Sequence, residues 1–243
     1  MWLVIRYLPT TLFSLRYSAA TSTGAKSLLI PSPYTIKMAL LVTAIRWHGI
    51  DVARREFETI RDLCPIRIRP SRYAVANRCF LRYQKPCEDK AKGSKDREPP
   101  IGYQSTVGFR EYVYLHGPFE IACPVKNEVQ GRHLLGLAAR VNCFGKRGSF
   151  VQFVGHELVD TLSEGYTVPF AEANTGAIPG VLQPLDDMAQ SVTFDKIDIT
   201  TDTSLLSSDR RSELTVLPYR AGRAALGYAS YARLATEGEY GRG

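Results

Sequence analysis

Two glycines and two adjacent cations near the middle of the chain form the group of residues best suited to chemistry with an anion. The group interrupts two short apolar runs in the segment VNCFGKRGSFVQFV and consists of Gly145, Lys146, Arg147 and Gly148. Glycine lets the backbone turn sharply and approach a ligand closely, and the two side chains supply positive charge. The segment also matches half of an RNA-recognition consensus, at Lys146, Phe150, Val151 and Phe153. These features predict contact with nucleic-acid phosphates, and an ordinary surface hairpin is the alternative.

Charge is distributed unevenly along the chain, although the net charge is a modest +7. Residues 1–50 contain five Lys or Arg and no Asp or Glu, and residues 65–97 hold ten basic and three acidic side chains. Residues 150–219 reverse this balance, with eleven acidic and three basic side chains. The segregation predicts that the N-terminal part faces a polyanion, unless folding mixes the charges in space. The candidate RNA-binding cations outside the glycine loop are Arg16, Lys26, Lys37, Arg46, Arg78, Arg82, Arg220 and Arg223.

Aromatic side chains lie among these cations, and bases stack on such rings with about 1–3 kcal/mol each. The set comprises Tyr7, Phe13, Tyr17, Tyr34, Tyr73, Tyr83, Tyr103 and Tyr112. Because tyrosine in strands more often serves packing, we expect two or three of these rings at most to touch RNA. Tyr34, at a predicted helix start, is the aromatic candidate for RNA binding.

Enzymatic chemistry has weaker support in the residue pattern. Thr23 to Ser27 is like the end of a nucleotide-binding P-loop, but the leading glycine is absent and two prolines delay the helix, which favours a loop that contacts RNA phosphates through Lys26. None of the four histidines stands beside a nucleophile. A metal-independent ribonuclease needs an acid or base near the 2′-hydroxyl, and His116 and His133 are the candidates if the chain is an enzyme.

The five cysteines form no CxxC pair and have no histidine at ligand spacing, so we expect free thiols, no metal site and no cofactor. Arg6 interrupts the N-terminal apolar block, and no uncharged apolar run reaches the length of a membrane span. We therefore expect neither a membrane segment nor a signal peptide, and a cytoplasmic location.

Hydrophobic periodicity, together with proline and glycine positions, predicts the helices and strands that must position these residues. Trp2 to Tyr7 predicts a first strand, and Pro31-Ser32-Pro33 predicts the start of a helix over 35–47. Asp51 is expected to cap a second helix that ends near Leu63. Further along, the pattern predicts strands over 71–83 and 107–123, the latter broken near Gly117-Pro118, a helix over 127–140, and a closing strand after the glycine loop. The charged segment 85–100 predicts a projecting or disordered loop.

Placed in order, these elements read strand, helix, strand, strand, helix, strand. That order predicts an α+β fold whose N-terminal domain, residues 1–155, is ferredoxin-like, as in RNA-recognition folds, with an extra helix and a basic thumb insertion at about 77–106. Residues 156–243 are expected to form a small β-rich C-terminal domain. This part includes an aromatic and basic turn over 219–223 that could complete a binding groove, with a closing hairpin as the alternative, and a last strand over 228–234.

The order of features resembles the CRISPR-associated fifth protein family, the Cascade subunit that caps the 5′ end of the guide RNA. Three motifs carry the resemblance across about residues 1–155. They are Pro31-Ser32-Pro33-Tyr34-Thr35-Ile36-Lys37-Met38 at the helix entry, Phe109-Arg110-Glu111-Tyr112 in the third strand, and Phe144-Gly145-Lys146-Arg147-Gly148 after the helix over 127–140.

The resemblance implies a non-catalytic subunit of a Cascade-type interference complex that binds the 5′ handle of the guide RNA. Its thumb would wedge against the backbone subunit, the large subunit would be a further partner, and target DNA would be involved only indirectly. The handle would thread between the loop that contains Lys26, the helix start at Tyr34 and Lys37, and the glycine loop. Some members of the family cut precursor RNA themselves, so a metal-independent endoribonuclease stays open as an alternative, as does a basic adaptor that touches no RNA.

Overall fold

The computed structural model describes residues 1–16, 26–86, 102–145, 148–173, 180–198 and 207–235. Its strands are β1 (Trp2–Pro9), β2 (Leu15–Arg16), β3 (Ser27–Leu28), β4 (Arg67–Arg69), β5 (Tyr73–Pro86), β6 (Tyr103–His116), β7 (Phe119–Pro124), β8 (Val151–Val159), β9 (Val168–Pro169), β10 (Val181–Met188), β11 (Arg210–Leu217), β12 (Tyr219–Ala225) and β13 (Tyr228–Arg233). Its helices are α1 (Pro33–His48), α2 (Ile50–Arg61), α3 (Glu128–Ala138) and the short α4 (Phe194–Ile197), and a 3-10 turn spans Ser207–Asp209. The chain is thus a mixed α/β protein built on antiparallel sheets, as the sequence predicts.

Helix α1 begins where the sequence predicts because a serine cap and a proline define its first turn. The Ser32 hydroxyl accepts a 3.3 Å hydrogen bond from the backbone N–H of Thr35, and Pro33 stands at the first helical position, where its missing N–H costs nothing. The prediction that Asp51 caps α2 is wrong. The cap is Gly49, whose φ of 83° allows the chain to reverse between the two helices, and Asp51 lies in the first turn of α2.

One four-stranded antiparallel sheet has the order β4, β7, β1, β8. Strand β1 lies between β7 and β8, and its residue Ile5 pairs with Ile121 on one side and with His156 on the other. Alternate β1 side chains, including Tyr7, enter the core. The Tyr7 hydroxyl donates a 2.7 Å hydrogen bond to the carbonyl of Ala138 at the end of α3. The helical layer therefore covers this face of the sheet.

A second four-stranded sheet has the order β12, β13, β5, β6 and contains a long hairpin of β5 and β6. The hairpin is paired without a break from Tyr73 opposite His116 to Pro86 opposite Tyr103. The hairpin has two faces. On one of them, the residues closest to the core are buried, and we call this the inner face; the opposite face is the outer face. The buried residues that define the inner face are Ala74, Ala76, Val113 and Leu115.

Strands β2 and β3 form a two-stranded ribbon that pairs Leu15 with Leu28 and Arg16 with Ser27. The segment that leads into the ribbon is attached to the free edge of β6. Phe13 and Val113 exchange two backbone hydrogen bonds there, at 2.8 and 2.7 Å. The ribbon is thereby fixed beside the hairpin, near the level of the core.

The third sheet, in the order β10, β11, β9, is joined to α1 by a buried ion pair. The Lys37 ammonium lies 2.6 Å from a carboxylate oxygen of Asp187 in β10, and the lysine side chain is only 1% exposed. Leu185 and Met188 of the same strand belong to the continuous hydrophobic core. The C-terminal strands are therefore packed against the first helix.

Two predicted strands exist but occupy different places from those expected. The strand predicted over 71–83 is β5, which belongs to the hairpin sheet, and the short β4 stands next to β7 instead. The strand predicted over 107–123 is two strands in different sheets, because Gly117, with φ of 83°, turns the chain between β6 and β7. A three-residue strand such as β4 is too short to produce a periodic pattern, so the sequence offered no sign of it.

The predicted aromatic and basic turn over 219–223 is wrong, because these residues lie in strand β12 and the turn is formed by Leu226 and Gly227. The alternative, a closing hairpin, is confirmed by the antiparallel pairing of β12 with β13. The last strand, β13, is confirmed.

The four described cysteines, Cys64, Cys79, Cys123 and Cys143, are free thiols. In the described part of the chain, no helix combines the length and apolar character needed to cross a bilayer.

Replacing Tyr7 with phenylalanine should lower the free energy of unfolding at pH 7 by about 1 kcal/mol, because the Ala138 carbonyl loses its hydrogen-bond donor. Burial raises the pKa of the Tyr7 hydroxyl, so the unfolded chain ionises this group at lower pH than the folded chain does. The stability of the parent should therefore fall as the pH rises above about 10, and the variant should lose less. Urea unfolding at pH 7 and at alkaline pH measures both effects. The exposed Tyr83→Phe is the control, and an unchanged alkaline loss in Tyr7→Phe would contradict the argument.

Candidate nucleic-acid interface

The glycine loop turns as the sequence predicts and packs against two other predicted site elements. Gly145 and Gly148 have φ of 73° and 115°, which side chains rarely adopt. A Cβ atom on Gly145 would lie 2.9 Å from the Leu15 side chain and 3.6 Å from that of Thr35. The loop thus reaches both the ribbon and the first turn of α1. Lys146 and Arg147 lie outside the described residues.

Polar contacts fix the C-terminal end of the glycine loop to the segment that follows β1. The Thr11 hydroxyl accepts a 2.8 Å hydrogen bond from the N–H of Phe150 and donates to the carbonyl of Gly148. Ser149 accepts a 3.4 Å hydrogen bond from the N–H of Ser14. The residues that follow Arg147 are therefore anchored to the segment between β1 and the ribbon.

Glu111 on the inner face of the hairpin holds the other end of the ribbon. One of its carboxylate oxygens lies 3.0 Å from the Lys26 ammonium, and the other accepts a 2.9 Å hydrogen bond from the N–H of Ser27. Glu111 is buried, whereas Lys26 and the neighbouring Arg16 are exposed. The two predicted cations of the ribbon are thus presented at the surface, with Lys26 tied to the hairpin.

Beyond Glu111 the inner face continues as a basic and aromatic surface. Arg78 lies opposite Glu111, and its guanidinium stands 4.6 Å from the centre of the Phe109 ring. Phe80 pairs with Phe109 edge to face, with ring centres 5.4 Å apart, and the two residues are 61% and 43% exposed. The exposed Arg82 follows on the same face because side chains alternate along a strand. Cations and rings therefore share one continuous face.

Sequence reasoning identified the cations of this face but missed Phe80 and Phe109 as stacking rings. The signal that was available is the alternation Arg78, Phe80, Arg82, which places the three side chains on one face of any strand. Arg210 was missed as well, although its guanidinium lies 4.4 Å from the centre of the Tyr34 ring. Arg210 comes from the distant strand β11, so no local pattern near Tyr34 could indicate it.

Other predicted site residues are placed elsewhere. Lys37 is buried in its ion pair with Asp187, so its ammonium does not reach the protein surface. Arg46 is exposed near the C-terminal end of α1, away from the helix start that approaches the glycine loop. Arg220 and Arg223 are exposed on β12. The structure therefore brings together only part of the predicted set.

The two candidate catalytic histidines lie in different surroundings. His116 is at the end of β6, where its Nδ1 stands 3.3 Å from the Tyr114 hydroxyl. His133 on α3 lies 3.3 Å from a carboxylate oxygen of Glu56 and lines a largely apolar cavity of about 210 Å³ between α2 and α3. The Glu56 contact was missed because the two residues are far apart in the sequence. Among the described residues, no three His, Cys, Asp or Glu side chains are arranged to hold a metal ion.

The sheet of β4, β7, β1 and β8 carries ion pairs where an RNA-recognition domain displays stacking rings. Arg6 lies 2.9 Å from Glu120, which also approaches Arg69 at 3.8 Å and accepts a 2.7 Å hydrogen bond from the Tyr166 hydroxyl. Burial and this hydrogen bond raise the pKa of Tyr166. Tyr7, on the same sheet, points into the core. The exposed rings Phe80 and Phe109 lie instead on the inner face of the hairpin.

The fold and this surface define a mixed α/β protein with a basic and aromatic interface whose chemistry suits a single-stranded polyanion. Comparison with known proteins confirms the resemblance to the fifth CRISPR-associated protein family. The chain is 35% identical over 104 residues to the CRISPR-associated protein Cas5 of Archaeoglobus fulgidus, and the match spans 42% of this chain and 42% of that relative. No protein-family model matches the chain.

Two solved structures also resemble the chain at low sequence identity. A CRISPR protein from Archaeoglobus fulgidus aligns with a TM-score of 0.49 and 11% identity, over 96% of this chain and 92% of that one. A chain of a CRISPR RNA-guided surveillance complex aligns with a TM-score of 0.42 and 12% identity, over 96% and 91% of the two chains.

Replacing Lys37 with methionine should lower the free energy of unfolding by about 3 kcal/mol or more, because Asp187 would be left as a poorly solvated charge without its partner. The control is Arg132→Met, which removes an exposed ion pair with Glu128 and should cost less than about 1 kcal/mol. Urea unfolding of the two variants at pH 7 makes the comparison. Equal losses in the two variants would show that Lys37 is not held in a buried pair.

Replacing Gly145 with alanine should destabilise the protein by about 2 kcal/mol, because the residue has positive φ and the new Cβ would press on Leu15. Gly155→Ala in β8 is the matched control, since no atom lies within 4 Å of its new Cβ. Thermal unfolding measures the difference. If the two variants unfold at the same temperature, the loop does not pack against the ribbon as described.

Proposed function

We propose that the chain is a non-catalytic RNA-binding subunit of a CRISPR interference complex of the Cascade type, and that it binds and caps the 5′ handle of the guide RNA. The similarity to a protein named Cas5 supports membership of such a complex. The observation that carries the RNA-binding role is the continuous line of contacts from the inner face of the hairpin, through the ribbon, to the glycine loop.

The RNA would run along this line of side chains from the hairpin to the glycine loop. Arg82, the Phe80 and Phe109 rings and Arg78 lead to Glu111, which holds Lys26. The ribbon then brings Leu15 against Gly145. On this path the cations neutralise phosphates and the two exposed rings stack on bases.

The start of α1 adds to the positive potential at the glycine-loop end of the path. Thr35, in its first turn, lies beside Gly145, and no acidic residue occurs in that turn. The partial positive charge of a helix N-terminus favours anions within about one turn. With Lys146 and Arg147 in the adjacent loop, this end of the path suits the terminal phosphates of the handle.

The arrangement of the elements supports a ferredoxin-like N-terminal domain and a thumb. The sheet order β4, β7, β1, β8, with helices after β1 and after β7, is the order of that fold when β4 serves as its second strand. The end of the hairpin that projects away from the core would then be the thumb inserted at about 77–106. Strands β9 to β13 would form the C-terminal domain. We expect the thumb to contact the backbone subunit and the rest of the protein to contact the large subunit, with target DNA bound indirectly.

A non-catalytic role fits the positions of the histidines better than the nuclease alternative does. His133 lies on the helical side of the protein beside Glu56, and His116 lies on the outer face beside Tyr114. Neither imidazole is on the proposed RNA path, so neither is placed to take a proton from a 2′-hydroxyl of RNA bound there.

Guide RNA with its repeat-derived 5′ handle should bind the purified full chain more tightly than the same RNA without the handle. If Arg16, Lys26, Arg78, Arg82, Lys146 and Arg147 contact phosphates, the logarithm of the binding constant should fall with the logarithm of salt concentration with a slope of about −4.2. Arg82→Gln should reduce that slope by about 0.7. Fluorescence anisotropy at several salt concentrations measures the slope, and equal, salt-insensitive binding of both RNAs would disprove the proposal.

A double variant tests base stacking in the same assay. Phe80→Leu combined with Phe109→Leu should weaken handle binding by about 5-fold or more for each ring, because each lost base stack is worth about 1 kcal/mol or more. Phe170→Leu, which removes an exposed ring outside the path, is the matched control. Handle binding by the double variant at the parental affinity would show that the inner face does not stack on RNA.

A further inference from the structure

The outer face of the hairpin sheet is a second aromatic surface that the proposed handle path does not use. Strand pairing aligns its side chains in rows across β12, β13, β5 and β6. One row contains Arg220, Ala232, Tyr73 and His116, and another contains Ala225, Tyr228, Asn77 and Tyr112. Between them lie Ser230, Val75 and Tyr114. Rings therefore recur on three neighbouring strands.

These rings are open to solvent. Tyr73, Tyr114 and Tyr228 are 43%, 47% and 42% exposed. The imidazole of His116 lies 6.0 Å from the Tyr73 ring and 6.2 Å from the Tyr114 ring, measured between ring centres. Tyr73, His116 and Tyr114 therefore lie side by side on the outer face, and all three are exposed.

Among the described residues of this face, the charged side chains are all positive. Arg110 and Arg220 point outward from β6 and β12, and Arg72 stands 5.5 Å from the centre of the Tyr73 ring. None of the outward positions named in the three rows is Asp or Glu, and the acidic Glu111 belongs to the inner face. Within the described residues none of these three arginines makes an ion pair. Their charges are available to an external anion.

We infer that the outer face binds a second stretch of single-stranded nucleic acid, independently of the handle path on the inner face. Exposed tyrosines accept bases of any sequence by stacking, and the arginines neutralise the phosphates between them. Neighbouring strands lie about 4.8 Å apart, and side chains on one face recur about every 7 Å along a strand, which allows successive bases to reach successive rings. The lack of acidic side chains favours a polyanion over a protein partner of mixed charge.

The handle path and the outer face lie on opposite sides of one sheet, so both can be occupied at once. The test uses the full chain with labelled oligo-dT and oligo-U of twenty nucleotides, which contain no handle. Tyr73→Leu combined with Tyr114→Leu should weaken binding of these probes by about 5-fold or more for each ring, whereas Tyr73→Phe combined with Tyr114→Phe should bind like the parent because the rings remain. Arg220→Gln should make the salt dependence shallower, by about 0.7 in log–log slope. Comparison of the two probes shows whether DNA or RNA is preferred.

The outcomes separate this surface from the handle site. A short RNA that contains only the handle, at saturating concentration, should leave oligo-dT bound, and the leucine variant should keep the affinity of the parent for the handle. If the leucine variant binds oligo-dT like the parent, or if the handle RNA displaces oligo-dT completely, the outer-face inference is wrong while the handle proposal stands. If the handle shows no preferred binding but the leucine variant still loses oligo-dT, the proposed function fails and the outer-face site remains. Far-ultraviolet circular dichroism and thermal unfolding verify that every variant is folded.

Discussion

The carboxylate of Glu111 is the contact on which the candidate interface depends. It is buried and has two oxygens, and each is used by a different part of the ribbon, one by the Lys26 ammonium and one by the backbone N–H of Ser27. A buried carboxylate is stable only when charge and hydrogen-bond donors surround it, so this contact ties the ribbon to the hairpin. The glycine loop in turn packs against the ribbon through Leu15. Three segments distant in the sequence are thereby held in one place.

Some cations of this protein are held by carboxylates that the fold brings next to them, and others face solvent. Lys37 is buried against Asp187 and joins the first helix to the third sheet. Arg6 is fixed by Glu120 on the first sheet. The exposed Arg16 and Arg82 face solvent at the ends of the interface. The basic residues of the N-terminal part therefore include both buried structural cations and exposed ones. Their partners in the folded protein decide which role each has.

Local features were predictable from the sequence because their causes are local. The start of α1 follows from the Ser32 cap and Pro33, and the turn at Gly145 follows from a backbone conformation that glycine adopts easily. Features that depend on distant partners were not predictable. The burial of Lys37 requires Asp187, which lies far along the chain, and the strand over 71–83 joined a different sheet because the brief β4 took the position beside β7. The exposed Phe80 and Phe109 pair depends on hairpin register, which alternation alone does not reveal.

The unbroken pairing of β5 with β6 also limits how this protein can change in length. Successive side chains of a strand alternate between faces, so inserting a single residue in β5 beyond Ala76 would exchange the positions that follow it between the two surfaces. Arg78 and Phe80 would move to the tyrosine side, and their neighbours would take the side of Glu111. Changes of two residues preserve the pattern, whereas changes of one require a bulge to absorb them. The hairpin can therefore lengthen or shorten in steps of two while keeping both surfaces, and this parity follows from the backbone geometry alone.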